Sequence, residues 1–205
     1  MESLDQAHLI NDGISILLGI ALSSACGFRV FVPFLMLSLV GVLNWWSLPS
    51  GLTWLDSPEA LIVLAVASGL EVIAYGIPWL DNFLDLIAIP VAALAGMLLT
   101  ATVLPPDMQP LVQWTLAVIA GGGSAGIINS VTNLSRLTTT ATTGGLANWG
   151  VSGLELLAAA ILPLLALHLP VIIGGMICLV LLGGLVWLGR FLFLKLGETQ
   201  KPRVS

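Results

Sequence analysis

Glu71 and Glu155 each close the tetrapeptide Ser-Gly-Leu-Glu, at Ser68–Glu71 and again at Ser152–Glu155, and each sits in a run apolar enough for lipid. A carboxylate in hydrocarbon costs about 2.5–3.5 kcal/mol on insertion scales, so such a group normally faces the protein interior or a wet cavity. Two buried carboxylates in matching places can hold a cation or carry a proton, because neither burial nor a like charge favours ionising both. The structural alternative is that Glu71 pairs with Arg29 or hydrogen-bonds Tyr75 one turn on, and that Glu155 lies near the headgroups. The chemical reading fits Glu71, about two turns inside its span, and the structural one fits Glu155, only four residues into its own.

Arg29 follows Gly27-Phe28 within an apolar run, too far from either end to snorkel. It either neutralises Glu71 or Asp85, or offers a guanidinium to an anionic substrate at a helix break. Asp81 and Asp85 open a helix after a tight turn; capping accounts for Asp81, while Asp85, a turn deeper, fits ion binding as well as capping. Asn129, Thr132, Asn133 and Arg136 share one polar face, with Arg136 at a boundary where snorkelling explains it. Thr139 and Thr143 belong to the uncharged run Thr138–Asn148, TTTATTGGLAN, which reads as a segment folded into the protein, its hydroxyls satisfying one another or a ligand. Gly144-Gly145 is not a phosphate loop, since no Lys-Ser/Thr follows. Gly122 and Gly126 form a small-residue pair of the helix-packing kind.

Catalytic spacing is missing. His8 and His168 have no nucleophile or metal partner nearby in sequence, and HExxH, GxSxG and CxxC do not occur. No enzyme and no cofactor are therefore expected, and these histidines form no metal-binding pattern, which leaves a metal at the acids an open reading. Cys26 and Cys178, far apart in apolar segments, read as buried inert thiols.

Positioning these residues falls to lipid-embedded helices. The 205 residues are 58% hydrophobic and 8% charged, against about 25% charged in soluble domains, so the chain cannot cover a globule in water. Six Lys and Arg cannot track a nucleic-acid backbone. The first residues hold Glu2, Asp5 and Asp12 with no basic residue, the wrong charge for a signal peptide, so the first apolar run belongs to the mature chain. Residues 1–13 form a polar surface segment or interfacial helix. Ile14–Leu43 is one span, a long tilted helix or two half-helices meeting at Gly27-Phe28-Arg29. Further spans follow at Glu59–Ile77, Asp81–Leu104, Pro110–Leu134, Val151–Leu169 and Pro170–Leu196, then a basic tail at 197–205. Ser135–Gly150 is the Thr-rich inner loop.

Six spans put both termini on one side. Basic residues 190, 195, 201 and 203 make that side cytoplasmic in an inner (plasma) membrane, and the Trp residues fall at span ends. The repeated Ser-Gly-Leu-Glu, and a weak likeness of Ile20–Val30 to Ile119–Asn129, divide the chain into three-helix repeats at 14–104 and 108–196. The expected fold is all-α: six transmembrane helices as two inverted three-helix repeats with interrupted first helices and a binding site at their interface.

At Gly27-Phe28-Arg29 through Pro33, Glu71 with Pro78 and Asp81, and Arg136 with TTTATTGGLAN, the sequence resembles the small bacterial and plastid membrane proteins grouped as domain of unknown function 4126. The resemblance runs from about Ile14 to Leu185, and its specific part is the Thr-rich segment ending Gly-Gly-Leu-Ala-Asn, after which Trp149 stands where the family pattern has Pro. It implies a multi-pass membrane fold and no activity. The three-plus-three plan is similar, in architecture alone, to small exporters of amino acids and metal ions. The residues themselves point to a transporter or channel-like permease for a small ion or solute, proton- or cation-coupled through the acids. The competing class is a membrane scaffold or assembly factor whose buried polar groups are structural. Expected partners are the bilayer, the unidentified solute and a further copy of the chain.

Overall fold

A computed structural model describes residues 2–74, 78–144 and 148–199, and every regular element among them is helical. Tyr75 lies outside the described residues, and so do the side chains of Asp81 and Asp85. Helix α1 (Glu2–Phe28) takes in the polar start of the chain without a break. After Arg29 and Val30 the chain resumes as α2 (Phe31–Val42). Pro33 explains the place of the break. In a continuous helix its ring would strike the carbonyl of Arg29, whereas in the first turn of a new helix it lacks only an N–H that has no intrahelical acceptor.

A 3₁₀ turn (Ser50–Asp56) leads to α3 (Pro58–Ala74) and α4 (Pro78–Val103). Next, α5 (Pro110–Leu116), a π segment (Ala117–Gly122) and α6 (Gly123–Thr143) follow without interruption. Helices α7 (Asn148–His168) and α8 (Pro170–Thr199) are the last of the described elements. Proline opens α3, α4, α5 and α8, the position where its fixed φ suits a helix start.

Four of the described helices are long and apolar enough to cross a membrane: Ile10–Phe28, Pro110–Thr143, Asn148–His168 and Pro170–Trp187. A fifth is added if the 3₁₀ turn and α3, bent by 80° to one another, count as one span; Phe31–Val42 and Ile87–Val103 are shorter apolar helices. These lengths, and large apolar side chains such as Ile62, Val66, Leu154 and Leu179 left exposed on the outer faces, fit a membrane protein. They do not yield the expected count of six.

Helix α1 is the central helix and packs on α4, α6, α7 and α8. Its close approaches use small residues: Gly19 lies on Thr100, and Gly27 on the Ala125 carbonyl and Ile128. Ser23 and Ser124 hydroxyls meet at 2.8 Å, and Asn129 Nδ2 donates to the Gly27 carbonyl at 3.0 Å, so α6 runs alongside α1 in the same direction. Gly122 and Gly126 both face Ala93 of α4, which is the helix packing expected of them.

Of the two expected forms of Ile14–Leu43, the structure has the two helices meeting at the Gly27-Phe28-Arg29 corner and not the single long tilted helix. Helix α7 begins near Arg29, through Glu155, and ends at His168, whose ring lies 4.3 Å from that of Trp46, just beyond α2. Gly51 packs on Thr102 and Gly19 on Thr100, at the same end of α4, and Gly41 packs on Asp56. Helix α2 therefore doubles back beside α3 and α7, and α1–α2 is a hairpin with Arg29 at its tip. The second half of the chain has no such reversal, because Pro110–Thr143 is one continuous helical stretch. The pairing of two interrupted first helices is thus not met.

The Thr-rich run is corrected as well. It is helical to Thr143 and ends at Gly144, whose φ of 62° closes the helix in the left-handed conformation. Its hydroxyls donate to carbonyls of their own helix, Thr138 to Leu134, Thr142 to Thr138 and Thr143 to Thr139, and Thr138, Thr142 and Thr143 are exposed. Back-bonding of this kind satisfies threonine inside a helix, so a hydroxyl-rich run need not be a loop.

Candidate functional site

Breaking a helix inside a bundle leaves carbonyls at one end and N–H groups at the other without partners. At the Arg29 corner two other helices supply them. Asn129 of α6 covers the Gly27 carbonyl. Glu71 of α3 covers the start of α2: the Val30 N–H donates to Oε1 at 2.7 Å and the Phe31 N–H to Oε2 at 3.1 Å. A carboxylate there also complements the positive end of the α2 dipole. Asn133, one turn beyond Asn129, donates to its Oδ1 at 3.4 Å and steadies the amide.

Arg29 is 2% exposed and points into the bundle. One of its terminal nitrogens donates to the Ser152 hydroxyl and lies 3.9 Å from Glu155 Oε2. Arg136 of α6 reaches the same carboxylate twice, Nε to Oε1 at 3.1 Å and a terminal nitrogen to Oε2. Glu155 is 3% exposed and Arg136 6%. Two guanidiniums from different helices thus converge on one buried carboxylate. This is the costliest kind of contact to desolvate, favourable only when geometry and further hydrogen bonds are good. The forked pairing of Arg136 meets that condition.

The structure brings together Arg29, Glu71, Asn129, Asn133, Arg136 and Glu155. Thr139 adjoins them through its bonds to the Arg136 carbonyl and to Asn148, while Thr143 lies a turn further out. Glu155 and Arg136, both read from sequence as lying at the membrane boundary, are buried in the protein, where each neutralises the other. A described ion pair joins Arg29 to Glu155, Glu71 accepts from backbone N–H groups, and the expected pairing with Asp85 lies outside the described side chains. Ser152 is the residue sequence reasoning missed. It opens the repeated Ser-Gly-Leu-Glu, and its place three residues before Glu155 puts both on one helix face. Among the described residues no group of three or more His, Cys, Asp or Glu could hold a metal ion, and Cys26 and Cys178 are free thiols, Cys26 buried.

A family model described as domain of unknown function (DUF4126) matches residues 16–190. No curated protein and no solved structure matches the chain.

Proposed function

The chain belongs to the family of domain of unknown function 4126, and from that premise we propose that it is a membrane permease for a small ion or solute, with the Arg29 corner as its working site. One observation carries the reading: a helix broken within the bundle, whose loose ends are held by an acid and an amide from two other helices around a buried arginine. Irregular backbone at membrane depth is tolerated where it is enclosed in protein or lines a solute path, and transporters place their sites at such breaks. Glu71, Glu155 and Arg136 would exchange partners with the solute or with a proton as the corner moves.

Helix α7 sets the depth of the site. From Trp149 to His168 it rises about 29 Å, the thickness of a hydrocarbon core, and Glu155 lies about 9 Å along it. Helix α2, at 12 residues, is too short to cross. We read α1–α2 as a re-entrant hairpin that enters and leaves on the Trp45–Trp46 side. Crossings then follow at α3, α4, α5–α6, α7 and α8. The six Lys and Arg belong to the Arg29 end of the bundle or the C-terminal tail, whereas Asp56, Glu59 and Asp107 mark the opposite end. This puts the C-terminus in the cytoplasm and the N-terminus outside. Reporters fused to the two termini are expected on opposite sides of the membrane, with the Trp45–Trp54 loop on the N-terminal side; both termini on one side would remove the re-entrant hairpin.

Flux tests the permease. In reconstituted vesicles, a panel of small cations, anions and amino acids followed by electrical and pH-sensitive signals is expected to reveal a transported species. Its flux should fall at least tenfold in Glu71→Gln. A specific observation also favours the scaffold: Arg136 and Glu155 satisfy each other in a fork, as a fixed helix clamp would. Vesicles that pass no member of the panel, or equal flux in wild type and Glu71→Gln, would favour that reading.

A further inference from the structure

Helices α2, α3 and α4 do not close on one another. Between them lies a cleft of about 330 Å³. Its floor is Leu52 and Leu99, both fully buried, and its mouth is edged by Phe31, Trp54 and Leu98, all exposed on the outer surface of the bundle. The cleft therefore opens sideways, onto the face that an apolar bundle turns to lipid, and not toward either end. Phe34 and Trp54 narrow one side, with ring centres 6.4 Å apart. Thr102 brings a hydroxyl to the wall, but it donates to the Leu99 carbonyl at 2.8 Å. A polar solute would find little to bind there, whereas a hydrocarbon chain fits. The space holds roughly ten groups the size of a water molecule.

Charge around the mouth narrows the occupant further. Asp56 and Glu59 are exposed two and five residues after Trp54, where the 3₁₀ turn leads into α3, and from Val30 to Ser135 the chain contains no Lys or Arg at all. A headgroup of net negative charge would find no basic residue in this stretch and two exposed acids near it. An amine headgroup meets two carboxylates and an indole face, which attracts cations. We propose that the cleft is a lipid site, taking one acyl chain of a phospholipid whose headgroup carries an amine.

The test uses the full-length protein in detergent, loaded with defined phosphatidylethanolamine or phosphatidylglycerol and then stripped. Retained lipid is counted by mass spectrometry of the intact complex. The expected result is about one phosphatidylethanolamine kept per chain, at least tenfold more than phosphatidylglycerol. Leu98→Trp, at the exposed mouth, and Leu64→Trp, deeper in, should each reduce retention tenfold; the first guards against misfolding of the second. The double change Asp56→Asn with Glu59→Gln should keep the chain site but level the two lipids. Retention unaffected by either Trp would overturn the site, as would a dimer whose interface excludes lipid from this face. A headgroup preference that survives loss of both acids would overturn the amine assignment.

Discussion

Glu155→Gln should lower the thermal stability of the protein more than any other single polar exchange in the bundle. The change is nearly isosteric, so packing is preserved, but Arg136 loses its forked partner and Arg29 its nearby carboxylate. Removing one member of a buried ion pair typically costs about 3–5 kcal/mol, because the charge left behind stays desolvated. In a chain of this size that corresponds to a fall in melting temperature on the order of 10 °C. Arg136→Gln added to Glu155→Gln should restore part of the loss, since the stranded charge is then gone. Arg29→Gln added to Glu155→Gln should restore less, because its contact with Glu155 is a single one at 3.9 Å. Melting curves of the singles and doubles in one detergent measure both couplings. Strict additivity for the Arg136 and Glu155 pair would mean that the fork contributes nothing.

Glu71→Ala is the second large effect, and it has a different origin. Its main loss is at the backbone, where the Val30 and Phe31 N–H groups at the start of α2 lose their acceptor. One of these hydrogen bonds is part-buried and the other exposed, so at about 0.5–1.5 kcal/mol for each bond the loss is roughly 1–3 kcal/mol. Glu71→Gln keeps one carbonyl oxygen and should cost well under half of that. The two variants separate the cap from the charge. Amide hydrogen exchange at Val30, Phe31 and Val32 should speed up strongly in Glu71→Ala and only slightly in Glu71→Gln. Equal protection in wild type and Glu71→Ala would show that the cap does not hold the corner. A Gln variant that is stable yet inactive in flux would assign the carboxylate charge to function and its oxygens to structure.

Much of this could be read along the chain because it is local. Pro33 disfavours a helix through Arg29 by about 3 kcal/mol or more, so the break was visible at Gly27-Phe28-Arg29, although Pro90 in α4 and Pro163 in α7 show that packing can carry a helix past a proline. The apolar lengths of α7 and α8, the proline starts and the Gly122–Gly126 packing pair follow from the same kind of short-range constraint. The Thr-rich run shows the limit of local reading. Its composition suggests a loop, yet Thr138, Thr142 and Thr143 each donate to a carbonyl one turn back, and the helix goes on to Thr143.

The sequence by itself determined the solvent, the helical class, the place of the break and the residues that had to be buried with a partner. Only the tertiary structure decided which partner and which direction. Two half-helices in line and two doubled back have the same apolar pattern, and the choice rests on Gly19 and Gly51 sharing one end of α4. Arg29 has acids within 60 residues, yet one described ion pair joins it to Glu155, more than 100 residues on and brought to it by α7. A charge in a medium of low dielectric interacts with whatever the packing places beside it, and sequence separation does not enter that energy.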